Sequence, residues 1–160
     1  MATFAEAEEF REKLLRAFPP QPFHGLVSTH SECDDGIALR HELPGKRWDE
    51  IPAEFVDFNS GSLSLLQPAA RVAFLPAWLA RSMEKLGPQY EGFLADFTMY
   101  FLCPGNEDEG WDEIGIARRV SLFDADQRSL VGDFLRSILE NDALPYWHGC
   151  ARHGLKWWCA

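Results

Sequence analysis

Residues 30–35, His-Ser-Glu-Cys-Asp-Asp, place an imidazole, a thiol and three carboxylates within six positions. A cysteine nucleophile needs a base to draw off its proton and a third group to orient that base. His30 and an adjacent acid would fill those roles for Cys33. Zinc takes cysteine and histidine ligands tetrahedrally. His30 and Cys33 form an H-x-x-C pair, and Cys150 and His153 form a C-x-x-H pair near the chain end, so a folded-back C-terminus would complete a Cys2His2 set. The third reading is structural. Ser31 caps a helix, Asp34 and Asp35 sit in its positive first turn, and Cys33 packs as a small hydrophobe. A local cluster without a second catalytic half is weak evidence for chemistry, which favours the helix start. Glu32, Asp34, Asp35 and the nearby Trp48 then stand as candidate binding residues.

Other catalytic templates fail. The chain has no GxxxxGK[ST] or GxGxxG phosphate loop and no GxSxG elbow. His41-Glu42 begins like a zincin helix, but Gly45 stands where the second histidine is required. His30-Ser31-Glu32 lacks the PCxxC half of a zinc deaminase. Counted from Asn106 as an EF-hand, the glycine falls one position early and Ala117 occupies the last ligand position.

Composition narrows the function further. The 25 acids against 15 basic residues give a net charge of -10, which repels phosphate backbones and favours a basic protein partner or a cation over nucleic acid. Six tryptophans and twelve phenylalanines exceed ordinary usage and supply both core and surface aromatics. No apolar run is long enough to span a membrane, and the first residues lack a basic region followed by an apolar one. A cytoplasmic chain with four reduced cysteines is expected.

The elements that must hold these residues read as helices. Thr3 and Glu6 form a capping box, and Ala7, Phe10, Leu14 and Phe18 recur on one face until Pro19 and Pro20 stop the helix. Residues 54–58 read as a short helix. Gln67 and Pro68 open a strongly periodic one through Val72, Leu75, Leu79, Met83 and Leu86, ended by Gly87 and Pro88, with a kink or break expected at Pro76. The aromatic and branched residues of 96–103 favour a strand, while periodicity leaves a buried helix open. The acidic stretch at 105–113 reads as an exposed, mobile loop. Asp124 and Gln127 cap a last helix with Leu130, Phe134 and Ile138 on its buried stripe. The expected fold is mainly α: a single compact helical domain over 1–147 with at most one or two short strands, followed by a C-terminal tail at 148–160, docked or free.

The segments THSECDDG, GKRWDEIP, LQPAARVAFLPAWLARS, DADQRSLVGDFL and ALPYW, in this order over residues 24–147, resemble an uncharacterised bacterial family of small domains of unknown function. In that family an E-C-D-E/D element precedes G-x-x-W, and a P-E-A-F-like helix runs into L-P-A. This chain departs from the pattern at Gln67-Pro68-Ala69 and at Ser31, where the family often has a second cysteine. The extension from His148 lies outside the resemblance. The resemblance implies a bacterial cytoplasmic domain, points to Glu32, Cys33, Asp34 and Trp48, and brings no activity. A non-catalytic binding or interaction domain without a cofactor is the expected function. The alternatives are a metal-binding domain using His30, Cys33, Cys150 and His153, and a cysteine-dependent enzyme.

Overall fold

A computed structural model describes residues 3–87 and 93–160. Among them the chain forms eight α-helices and a single two-stranded hairpin, a mainly α fold. The helices are α1 (Phe4–Ala17), α2 (Asp34–Glu42), α3 (Ala53–Phe58), α4 (Pro68–Lys85), α5 (Leu94–Leu102), α6 (Glu113–Val120), α7 (Ala125–Leu139) and α8 (His148–Trp158). Strands β1 (Gly105–Asn106) and β2 (Gly110–Trp111) lie between α5 and α6.

Helix α4 is the centre. It packs against α1, α3 and α5 and buries ten residues, Phe74, Leu75, Trp78 and Leu79 among them. Helix α1 also reaches α7, and α7 carries α8 along its length. Leu75, Leu79, Phe134 and Ile138 are fully buried in one core, as their spacing predicts. Thr3 caps α1 with Glu6, and Asp124 caps α7 with Gln127, each through a complete capping box. The Gln127 side chain also donates to the carbonyl of Ala17, tying the start of α7 to the end of α1.

Three buried tryptophans serve helix ends. Trp48 Nε1 donates to the Phe18 carbonyl (2.8 Å), Trp78 to that of Asn59 (3.3 Å) and Trp158 to that of Leu102 (3.0 Å). Phe18 and Asn59 are C-caps of α1 and α3, and Leu102 is the last residue of α5. Carbonyls in the last turn of a helix have no partner within it, so each indole satisfies one while burying a large apolar surface.

Several expectations are corrected. Of the kink or break expected at Pro76, the break is absent: α4 runs through Pro76, which is buried within it. Its neighbours fill the surrounding space and hold the helix across the missing N–H. Residues 94–102 are a helix: α5 buries Leu94, Ala95, Thr98, Met99, Phe101 and Leu102. The Thr98 hydroxyl returns to its own Leu94 carbonyl (2.8 Å) and meets Ser82 of α4 (3.1 Å). Helix α6 lies in a stretch where no periodicity is visible, because only Ile116 and Val120 point inward. The segment from His148, expected as a tail either docked or free, is docked. A 3₁₀ turn at Pro145–Trp147 leads straight into α8, which buries Cys150, Ala151, Gly154 and Trp158. Pro88, read as part of the α4 stop, lies outside the described residues; Leu86 is the C-cap.

Candidate functional site

The 30–35 cluster is a helix start on the surface. His30, Ser31, Glu32, Cys33, Asp34 and Asp35 are all exposed. The N-cap is Cys33 instead of Ser31: its sulfur accepts from the Gly36 N–H at 3.4 Å, while Asp34 and Asp35 occupy the first turn. The loop turns back tightly onto the helix. A Cβ on Gly36 would lie 2.2 Å from the His30 carbonyl oxygen, so only glycine fits there.

Trp48 is no surface binding residue either. It is 3% exposed, bonded to Phe18, and covered by the Arg11 guanidinium 5.5 Å from its ring. Its neighbours explain its burial better than any ligand would.

The four zinc candidates are not brought together. Cys33 caps α2 at the surface. Cys150 is buried, with its thiol donating to the Cys103 carbonyl at 3.2 Å. The Cys103 side chain and burial push the Cys150 thiol well up, away from the thiolate that a metal or a nucleophile needs. The His153 ring stacks on Trp111 at 4.6 Å between centroids and 11° between planes. Among the described residues no group of three or more His, Cys, Asp or Glu side chains is placed to hold a metal ion.

What the fold does assemble is a groove between the β1–β2 hairpin and the segment that opens α8. It encloses about 310 Å³ and is lined by Glu107, Asp108, Trp111, Tyr146, Trp147 and Arg152, with Gly105, Asn106, Pro145, Gly149 and Cys150 completing its wall. A cleft between α1 and α7, lined by Glu6, Glu9, Phe10, Lys13, Met83, Asp133, Ser137 and Glu140, is half that size at about 160 Å³.

Local rules build each wall. The Asn106 side chain accepts from the backbone N–H groups of Asp108 (3.0 Å) and Glu109 (2.7 Å), an Asx turn that closes the hairpin. Gly105 and Gly110 both have φ near +100°, and a Cβ on Gly105 would meet the Gly110 carbonyl oxygen at 2.5 Å. The acidic loop is therefore exposed, as its charge predicts, yet folded and pinned by the Trp111–His153 stack. On the opposite wall Asp96 of α5 accepts from Trp147 Nε1 (2.5 Å) and from the Tyr146 hydroxyl (3.2 Å). One carboxylate so fixes two aromatic side chains whose rings are 5.8 Å apart. Burial and then the Asp96 charge hold the Tyr146 phenol above its ordinary range, so it stays a neutral hydrogen-bond donor.

The Glu107 carboxylate lies over the first turn of α8. A Cβ on Gly149 would come within 2.3 Å of Glu107 Oε1. An acid is favoured beside the unpaired N–H groups of a helix start. Beneath the groove, burial and then Lys156 hold the His153 imidazole below its ordinary range, against the opposing pull of Glu113 at 4.0 Å. Its Nε2 is buried without a hydrogen-bond partner.

These residues escaped the sequence reading for a definite reason. Asp96, Trp111 and Tyr146 are far apart in the chain, and only the approach of α8 to the hairpin makes them neighbours. The Asn106-to-Gly110 spacing was the one local signal available. No family model, curated protein or solved structure matches the chain.

Proposed function

We propose that this chain is a non-catalytic binding domain, and that the hairpin–α8 groove takes a lysine- or arginine-bearing segment of a basic protein partner. The observation that supports this reading is the lining itself. Two carboxylates, Glu107 and Asp108, line the same space as three aromatic side chains, Trp111, Tyr146 and Trp147. A cationic side chain gains from an aromatic face and from a nearby carboxylate together. Glu109, Asp112 and Glu113 extend the negative field along the same stretch, and the chain carries a net charge of -10. Arg152, also in the lining, would orient the partner by repelling its positive groups.

No nucleophile and base meet in the groove. Cys150 has its thiol turned down to a backbone carbonyl, and the Tyr146 hydroxyl is engaged with Asp96. Both arrangements suit a rigid recognition surface better than proton transfer. The acidity weighs against nucleic acid as the partner, and no helix of the described residues is long and apolar enough to cross a membrane. A cytoplasmic setting fits four free thiols.

The test uses short peptides of lysine, arginine and glutamate, titrated while tryptophan emission is followed. The cationic peptides should bind saturably, more weakly as salt is raised, and the glutamate peptide should not. Glu107→Gln combined with Asp108→Asn should weaken binding and flatten its salt dependence. Equal binding by that double variant would overturn the assignment to this groove.

A further inference from the structure

Helix α5 is apolar on both sides. Its inner side buries Leu94, Ala95, Thr98, Met99, Phe101 and Leu102. A helix with one solvated face normally fills that face with charged and polar residues. The outer side of α5 carries aromatic rings instead. Phe93, the N-cap, is followed by Phe97 and Tyr100 at i+4 and i+7, a spacing that lines the three up along the helix. All three are exposed, and two exposed neighbours widen the stripe. Tyr146 is held on one flank by its hydroxyl bond to Asp96 (3.2 Å). Phe58, the last residue of α3, leads into the turn on the other flank, where a Cβ on Gly61 would meet the Phe97 ring at 3.3 Å. Asp96 is the one charged residue of α5, and it accepts from Tyr146 and Trp147 at the edge of the stripe. Among the described residues nothing covers this patch.

Area and symmetry say what covers it. The five side chains are between 45 and 88% exposed. At the area an aromatic side chain offers, they present about 600 Å² per chain, the upper end of what an ordinary monomer leaves in water. Two copies face to face remove about 1,200 Å², which reaches the size of a specific, stable interface. Phe97 lies four residues after Phe93 and three before Tyr100. Two α5 helices crossing antiparallel at Phe97 therefore set Phe93 of each copy against Tyr100 of the other. A two-fold contact requires a self-complementary surface of this kind. A chain of net charge -10 repels its own copy over most of its surface, and on this stripe, where no charge projects, that repulsion is least. A partner chosen by charge finds nothing to read here.

We propose that the aromatic face of α5 is the two-fold interface of a homodimer, with the two helices antiparallel and Phe97 at the axis. Aromatic residues are enriched and charged ones depleted at the centre of such interfaces. The dimer goes beyond the binding function proposed for the acidic groove and does not depend on it. Of the five aromatic residues only Tyr146 also lines the groove.

The experiment is sedimentation velocity on the intact protein from about 1 to 500 μM, a range that brackets the micromolar affinity of a small interface. The mass should rise from one chain to two. Added salt should favour the dimer, because it screens the net charge. Binding of cationic peptides in the groove responds to salt in the opposite direction, so the two readings are told apart. Phe93→Asp and Tyr100→Lys change exposed side chains, and circular dichroism checks that each variant is folded. Each should weaken association roughly tenfold or more. Mixed together they should dimerise again, since the new carboxylate of one chain faces the new ammonium of the other. A wild type that stays monomeric throughout leaves the face to a different protein and overturns the proposal. So does a dimer that both folded variants retain, or a mixture that stays monomeric.

Discussion

Trp158→Ala tests whether the last thirteen residues belong to the core. The indole is 1% exposed, lies 5.4 Å from the Phe123 ring and donates to the Leu102 carbonyl at 3.0 Å. Truncation removes a large buried ring and leaves a cavity between α5, α7 and α8, and substitutions of this kind cost about 3–5 kcal/mol. It also strands the Leu102 carbonyl in the interior, which adds about 1 kcal/mol unless water enters. A domain of this size is stable by about 5–15 kcal/mol, so the change should remove about a quarter or more of the total. Urea unfolding followed by far-ultraviolet circular dichroism should show a much lower midpoint with a similar slope. Trp158→Phe separates the two contributions, since it keeps most of the packing and loses the hydrogen bond, and should cost less. A loss below about 1 kcal/mol for Trp158→Ala would mean that α8 is dispensable, and the docking described above would be refuted.

Gly105→Ala should strain the backbone by about 1–3 kcal/mol, because φ is +100° there and the new Cβ meets the Gly110 carbonyl; the readout is loss of cationic-peptide binding with altered Trp111 emission, and an unaltered groove would count against the hairpin geometry. Asp124→Ala removes the side-chain half of the α7 capping box, the acceptor of the Gln127 N–H, and should destabilise by about 0.5–2 kcal/mol in the same urea assay, whereas Asp124→Asn should be nearly neutral. His153 has its pKa lowered by folding, so the unfolded chain takes up its proton first. Its contribution is intact above the unfolded value of 6.5 and is lost as pH falls below that and through the folded value. His153→Gln should flatten the stability profile in that window relative to wild type, and an identical profile would show that the ring titrates normally.

The sequence by itself determined the helices whose signals are local. Thr3 with Glu6 and Asp124 with Gln127 satisfy helix starts through side chains three residues away, so both caps are legible without a partner. The stripes of α1, α4 and α7 repeat at helical spacing because each faces one core. The tertiary structure decided the rest. Pro76 breaks an isolated helix, but packing on both sides holds α4 together. Residues 94–102 are apolar enough for strand or helix, and the Ser82–Thr98 contact with α4 accompanies the helical choice. Residues 148–158 look like an odd tail until Trp158 finds the end of α5. The 30–35 cluster drew attention because adjacent residues are easy to see together, yet it lies on the surface as a helix start. The groove joins residues from separate elements: Asp96 with Tyr146, Trp111 with His153. Proximity of that kind is set by how helices pack, and no spacing within one segment encodes it.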